Sequence, residues 1–169
     1  MTKFTREELV NIFKAINEFV KDKKYNKYVL FALDKNKKRL LNTVNSVIKK
    51  EQDMFTEEYK KYDSERLIIV NKYSAKAEDG TNVKDSNGNA IIPQDSISSF
   101  NDEIKELRET YKDAIKVFDE DYSKYVDYLK EPIEISLYPL DFKYFPDELD
   151  GTQYSLLSLF IKDEEDEAE

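Results

Sequence analysis

The chain contains no cysteine, no histidine and no tryptophan, and its 169 residues include only three glycines and four prolines. Lack of cysteine excludes disulfides, thiolate nucleophiles and thiolate metal ligands. Lack of histidine excludes His-based triads and the usual zinc sites, together with the common general base near neutral pH. The opening MTKFTREELV has no signal-peptide apolar core, and no apolar run is long enough to span a bilayer. The expectation is a protein of the cytoplasm, which for a virus includes the assembled particle.

What the sequence does hold is charge and aromatic rings. Charged residues reach 37% and apolar residues 40%, a mix that suits long amphipathic helices and is too apolar for a disordered chain. Twelve tyrosines and ten phenylalanines carry much of the apolar area. The formal net charge is −9, and the tail Asp163 to Glu169 supplies six of the negatives. A negative surface repels phosphate backbones, so nucleic acid is not an expected direct partner.

Periodicity predicts a mainly α protein. Thr5 and Glu8 form a capping box ahead of Leu9, Ile12, Phe13, Ile16, Phe19 and Val20, and this first helix should fade in the lysines at 21–24. The run YVLFAL is read as helix. A long helix then carries an apolar line from Leu40 through Val44, Val47, Glu51, Phe55, Tyr59, Tyr62, Arg66 and Ile69 to Tyr73. Another runs from Ile97 through Phe100, Ile104, Leu107, Tyr111, Ala114 and Phe118 to Leu129, where Pro132 stops it. Each line has consecutive steps of four, around Phe55 and around Phe118, the mark of a stutter. Folded back, the lines pair Tyr73 with Ile97, Tyr62 with Leu107, Phe55 with Ala114 and Leu40 with Leu129. The expected fold is a long antiparallel helical hairpin, a coiled coil over residues 34–132, with a small β-hairpin at its tip at about 80–93.

Two of the three glycines fall in that tip. Asn87-Gly88 is the dipeptide favoured by a type I′ turn, which would pair Val83 with Ile92 and Lys84 with Ile91, while Gly80 releases the chain from the helix. The C-terminal stretch alternates Ile133, Ile135 and Leu137, predicting a strand and then an irregular apolar segment. A last helix, capped by Asp150 with Gln153, carries Leu156, Leu157, Phe160 and Ile161 on one face. Residues 1–33 and 133–162 should form a small α+β base, and 163–169 an acidic tail.

No motif identifies a reaction. Asp85, Asn87 and Asn89 resemble a calcium loop, but glycine stands fourth and the twelfth residue is Ser96, so a plain turn is favoured. The basic cluster Asp34 to Arg39, with Lys49-Lys50 and Lys60-Lys61, reads as a solvated face rather than a phosphate stripe. The pairs Glu57-Glu58 and Asp102-Glu103, and the run Asp119 to Asp121, lie on outward faces without a cleft, so solvation is preferred to two-carboxylate hydrolysis. Glu51 and Arg66 on the seam are assigned to register control. The seam tyrosines are assigned to the core with their hydroxyls in water. The acidic tail is either a partner-binding or DNA-mimicking element or a solubilising one.

The run YVLFALDKNKKRL resembles a group of small proteins encoded by tailed bacteriophages and prophages. Their pattern Tyr-x-x-x-Ala-Leu-x-Lys-Asn is matched by Tyr28, Ala32, Leu33, Lys35 and Asn36. A second part is similar at Glu58, Tyr59, Arg66, Lys72, Tyr73 and Gly80, with Ser74 where Ala is usual, and the LSLFI stretch is weakly similar. The group has no assigned activity, so the resemblance implies a phage context and transfers no site residues. The helix–hairpin–helix plan is also similar to a prefoldin β subunit.

The sequence therefore points to a non-enzymatic phage protein without cofactor or metal. It would act through protein–protein contacts as a virion component or head/tail assembly factor. The alternative is an inhibitor of a host or defence protein, with acidic mimicry as its means. The expected partners are other phage structural proteins or a host protein, not nucleic acid or membrane, with oligomers allowed. The expected location is the host bacterial cytoplasm and the virion. Val83, Ile91 and Ile92 are the candidate contact residues, because a two-stranded hairpin hides little of them.

Overall fold

A computed structural model describes residues 2–21 and 25–161. The protein is mainly helical, with a small two-stranded antiparallel sheet. In chain order the elements are strand β1 (Thr2–Thr5), helices α1 (Arg6–Phe19), α2 (Lys27–Asp53), α3 (Glu57–Tyr73), α4 (Ile97–Thr110) and α5 (Lys112–Lys130), strand β2 (Pro132–Ile135), a 3₁₀ turn (Phe142–Tyr144) and helix α6 (Gly151–Ser158). None of the described helices is long and apolar enough to cross a membrane.

The chain forms two compact units. The first comprises residues 1–51 and 125–169. Its core is built where amphipathic faces meet: Leu9, Ile12, Ile16 and Phe19 from α1, Val29, Leu33, Leu40 and Val44 from α2, and Leu140, Leu156, Leu157 and Phe160 from the C-terminal stretch. Both sequence-predicted capping boxes are present. The Thr5 side chain accepts from the Glu8 N–H at the start of α1, and Asp150 accepts from Gln153 at the start of α6. The expected C-terminal strand is β2, and its partner is β1, which pairs Thr2 with Ile135 and Phe4 with Ile133. Pro132 sits at the first position of β2, where its missing N–H costs least. Arg6 fastens this corner by donating to the Tyr128 carbonyl at 3.2 Å, with its guanidinium 3.9 Å above the Tyr128 ring.

The second unit is Gln52–Lys124. Here α3 and α4 run in opposite directions: Tyr73 meets Phe100 (centroids 6.1 Å) and Tyr62 meets Tyr111 (5.9 Å), while Phe118 on α5 lies against Phe55 (5.4 Å) and stacks on Tyr59 (3.9 Å). These ring contacts fall about one turn from the levels expected from the sequence.

The long helix expected through Phe55 is two helices. α2 ends at Asp53, and Thr56, in extended conformation, accepts from the Tyr59 N–H to start α3. The steps of four at Phe55 are therefore a helix start with Glu57 and Glu58 in its first turn, not a stutter. The second apolar line is interrupted at Tyr111, between α4 and α5, rather than at Phe118.

Candidate functional site

The first unit carries a groove whose walls come from distant parts of the sequence. Asn26 starts its assembly. Its Oδ1 accepts the N–H groups of Tyr28 (3.0 Å) and Val29 (3.1 Å), satisfying free donors at the start of α2, while its Nδ2 donates to the Tyr144 carbonyl at 2.8 Å. Two turns on, the fully buried Asn36 donates to the Tyr138 carbonyl at 3.0 Å and accepts from the Tyr138 N–H, pairing as a strand neighbour would. Arg39 donates to the Ser136 carbonyl at 2.6 Å. On the other side the Leu140 N–H donates to the Phe160 carbonyl, and Leu140 bridges to Ile161 in parallel. The segment expected to be irregular is thus held from both sides, by side chains of α2 on one and by the backbone at Phe160 on the other.

The resulting groove holds about 280 Å³. Tyr28 stacks on Tyr144 with centroids 4.1 Å apart, and Phe31 meets Tyr138 edge-on at 5.6 Å. Ala32 and Leu140 form a buried floor, with Pro139 and Asp141 beside them. Tyr28 and Phe31 remain 45% and 50% exposed. A cation stands over each of the four rings: Lys27 over Tyr28 (5.0 Å), Lys35 over Phe31 (5.3 Å), Arg39 over Tyr138 (5.6 Å) and Lys143 over Tyr144 (5.0 Å). Hydrogen bonding to Asp141 raises the Lys143 ammonium above its usual range, so it stays charged.

No family model matches the chain, and no curated protein or solved structure matches it. What the groove can do follows from its own residues. Tyr28 and Ala32 line it, Lys35 stands over its Phe31 ring and Asn36 bonds its Tyr138, while Leu33 is part of the buried core. Sequence reasoning treated these residues as a helix run and a solvated basic cluster. The missed signal was Asn36, an amide at a core position of an apolar helix face.

The sequence-predicted contact residues lie in the second unit, in a three-turn cap. The Ala75 N–H donates to the Ile91 carbonyl (2.8 Å), the Ile91 N–H to Val83 (3.0 Å) and the Val83 N–H to Ala75 (2.9 Å), closing a ring of backbone bonds. These residues are eight apart, and so are the turns: Gly80 N–H to the Ala77 carbonyl, Gly88 to Asp85, and Ser96 to Pro93. Gly80 and Gly88 have φ of +82° and +83°, where glycine avoids the side-chain clash. In each of the first two turns the bond back across the turn comes from residue 77 or 85. Pro93 has no N–H to repeat it, and the chain continues into α4.

Several tip expectations are corrected. No residue other than glycine has positive φ among the described residues, so Asn87-Gly88 is not a type I′ turn; glycine follows the turn and forms the bulge. Val83 pairs with Ile91 and Lys84 with Ala90, one residue from the expected register. Gly80 does not end the helix; Ser74 does, buried and donating to Asn82 Oδ1 at 2.6 Å. Ile91 is exposed, whereas Val83 and Ile92 are half-buried.

The remaining candidates have structural occupations. Asp85 Oδ1 accepts the N–H groups of Asn87 and Asn89 (both 2.9 Å), and these bonds, Asn89 first, hold its carboxyl below the usual range. Lys60 pairs with Glu57 and Lys124 with Asp121. Arg66 turns to Asp63 on its own helix and Glu51 is exposed, so neither is a buried register charge. Two seam hydroxyls bind carboxylates rather than water: Tyr73 donates to Glu103 and Tyr111 to Glu65, both at 2.7 Å. The acidic tail, 163–169, lies outside the described residues.

Proposed function

We propose that this chain works without chemistry of its own, as a protein-binding component of a tailed phage that serves in the virion or in head or tail assembly. The observation that carries the reading is the aromatic groove. Half-exposed rings clamped by a buried amide and overhung by cations make a preformed contact surface, and aromatic residues with cationic neighbours are typical anchors of protein interfaces. The phage setting rests on the resemblance of the Tyr28 to Asn36 run.

Residues 34–132 would serve as a helical hairpin of coiled-coil type giving reach, with the three-turn cap as a second contact point through Ile91. Opposed ring pairs along α3 and α4 support that reading. Affinity capture of the tagged chain from infected cells, with mass spectrometry of purified particles, tests the proposal. A stoichiometric phage protein partner, or the chain itself in particles, is expected. Finding neither overturns it.

A further inference from the structure

The groove's chemistry narrows what it takes. Residues 27–39 carry five cations, Lys27, Lys35, Lys37, Lys38 and Arg39, against one carboxylate, Asp34, in a chain that is otherwise acidic. Asp34 is committed to Lys38 at 2.7 Å, and Asp141 on the groove's edge to Lys143 at 2.9 Å. Among the described residues Lys27, Lys35 and Arg39 have no carboxylate partner; each is held over a ring instead. Lys27 and Lys35, held in this way, keep their hydrogen-bonding capacity for a ligand at little ordering cost, whereas Arg39 also donates to the Ser136 carbonyl. Between these cations lies an apolar floor of Ala32, Pro139 and Leu140.

We propose that this groove binds an extended acidic segment of a protein partner, with one apolar side chain seated on Ala32 and Leu140 and carboxylates reaching Lys27 and Lys35. The inference rests on the protein-binding reading above and specifies its ligand. Lys27 and Lys35 are eight helix positions apart, about 12 Å along the axis. An extended strand covers that in about four residues. The motif is therefore short: an aliphatic residue or proline with Asp or Glu on both sides. Nucleic acid fits less well. The rings stack on one another or lie under cations, leaving few open faces for bases, and the net charge of −9 opposes a polyphosphate.

Selection of a random linear peptide library on the full chain tests the proposal. Selected peptides should place Asp or Glu on both sides of an apolar residue. A synthetic peptide of the leading sequence should lose about tenfold in affinity with Lys35→Glu and a similar factor with Phe31→Ala. Both positions are exposed, so circular dichroism should be unchanged. Lys116→Glu, an exposed cation of the second unit, should leave peptide affinity unaltered. Basic or unbiased selected peptides, or binding by both groove variants as tight as by the unaltered chain, overturn the inference. So does oligothymidylate binding that both variants abolish. A large affinity gain on removing 163–169 also overturns it, assigning the groove to the chain's own tail. If a partner is captured from infected cells with unchanged yield by Lys35→Glu and Phe31→Ala, the groove assignment fails while the wider function stands. Acidic peptides selected in the absence of any cellular partner give the reverse.

Discussion

Asn36 has the environment of a core leucine and the chemistry of an amide. It is fully buried, and both halves of its side chain are spent on the backbone of Tyr138. Leucine would fill the space but leave the partly buried N–H and carbonyl of Tyr138 without their partner, each costing about 1–3 kcal/mol. Asn36→Leu is therefore expected to destabilise the protein by about 3 kcal/mol, read as a lower urea midpoint, and to open the groove by releasing Tyr138. Unchanged stability would show that the 136–144 segment is held by its apolar contacts alone. A second residue-scale effect is set by Asp85 and Asp79. Backbone bonds from Asn89 depress the first, and bonds from Thr81, its side chain first, depress the second. Their support for the cap is complete above the unfolded carboxyl value of about 3.9 and is lost as pH falls through the lower folded values. In an NMR titration the amide shifts of Asn89 and Thr81 should move together with midpoints below that value. A midpoint at or above it would mean the turn bonds do not persist in solution.

At the scale of elements, legibility followed range. The boxes at Thr5 and Asp150 were readable because cap and partner lie three residues apart. Thr56 was equally local but was hidden by an apolar line that could be drawn straight through it. β1 could not be read from four residues whose pairing partner begins at Pro132, and the groove could not be read because its rings are more than a hundred residues apart. The cap was visible as a place and wrong in its details. Asn-Gly suggests a two-residue turn, whereas the eight-residue recurrence of Lys76 and Lys84, and of Gly80 and Gly88, marks two equivalent bulged turns. Two substitutions test these assignments. Thr56→Ala removes the cap of α3 and should cost about 1 kcal/mol. Gly88→Ala meets no neighbour within 4 Å, so its cost is conformational alone, about 1–2 kcal/mol. Gly88→Asn should cost less, since asparagine tolerates positive φ. Thermal unfolding that ranks alanine and asparagine equally at position 88 would refute the bulged-turn geometry.

Across the whole molecule, the two units differ in how much they bury. Among the described residues, the buried apolar side chains of Gln52–Lys124 are Met54, Tyr62 and Leu107, and the others belong to the first unit. The physical reason is geometric. Three helices, a strand pair and the C-terminal segment can surround a side chain, whereas two helices side by side cover only a stripe of each other, and short helices gain most of their stability from such burial. The second unit compensates with ring stacking and with Tyr–carboxylate bonds at its edges, which add specificity more than free energy. Local opening should therefore need less free energy there. Hydrogen exchange should deuterate the amides of α3 and α4 roughly tenfold or more faster than those of α1 and of α2 between Val29 and Val47. A protein partner bound along α3 would bury the exposed Leu67 and Ile68 and slow its exchange selectively, whereas a peptide in the aromatic groove would slow exchange at 28–39 and 136–144 and leave α3 unchanged. Equal protection of both units in the free protein would mean that the second unit is stabilised by something other than its own packing, and self-association through Leu67 and Ile68 would then show as a concentration dependence of α3 exchange.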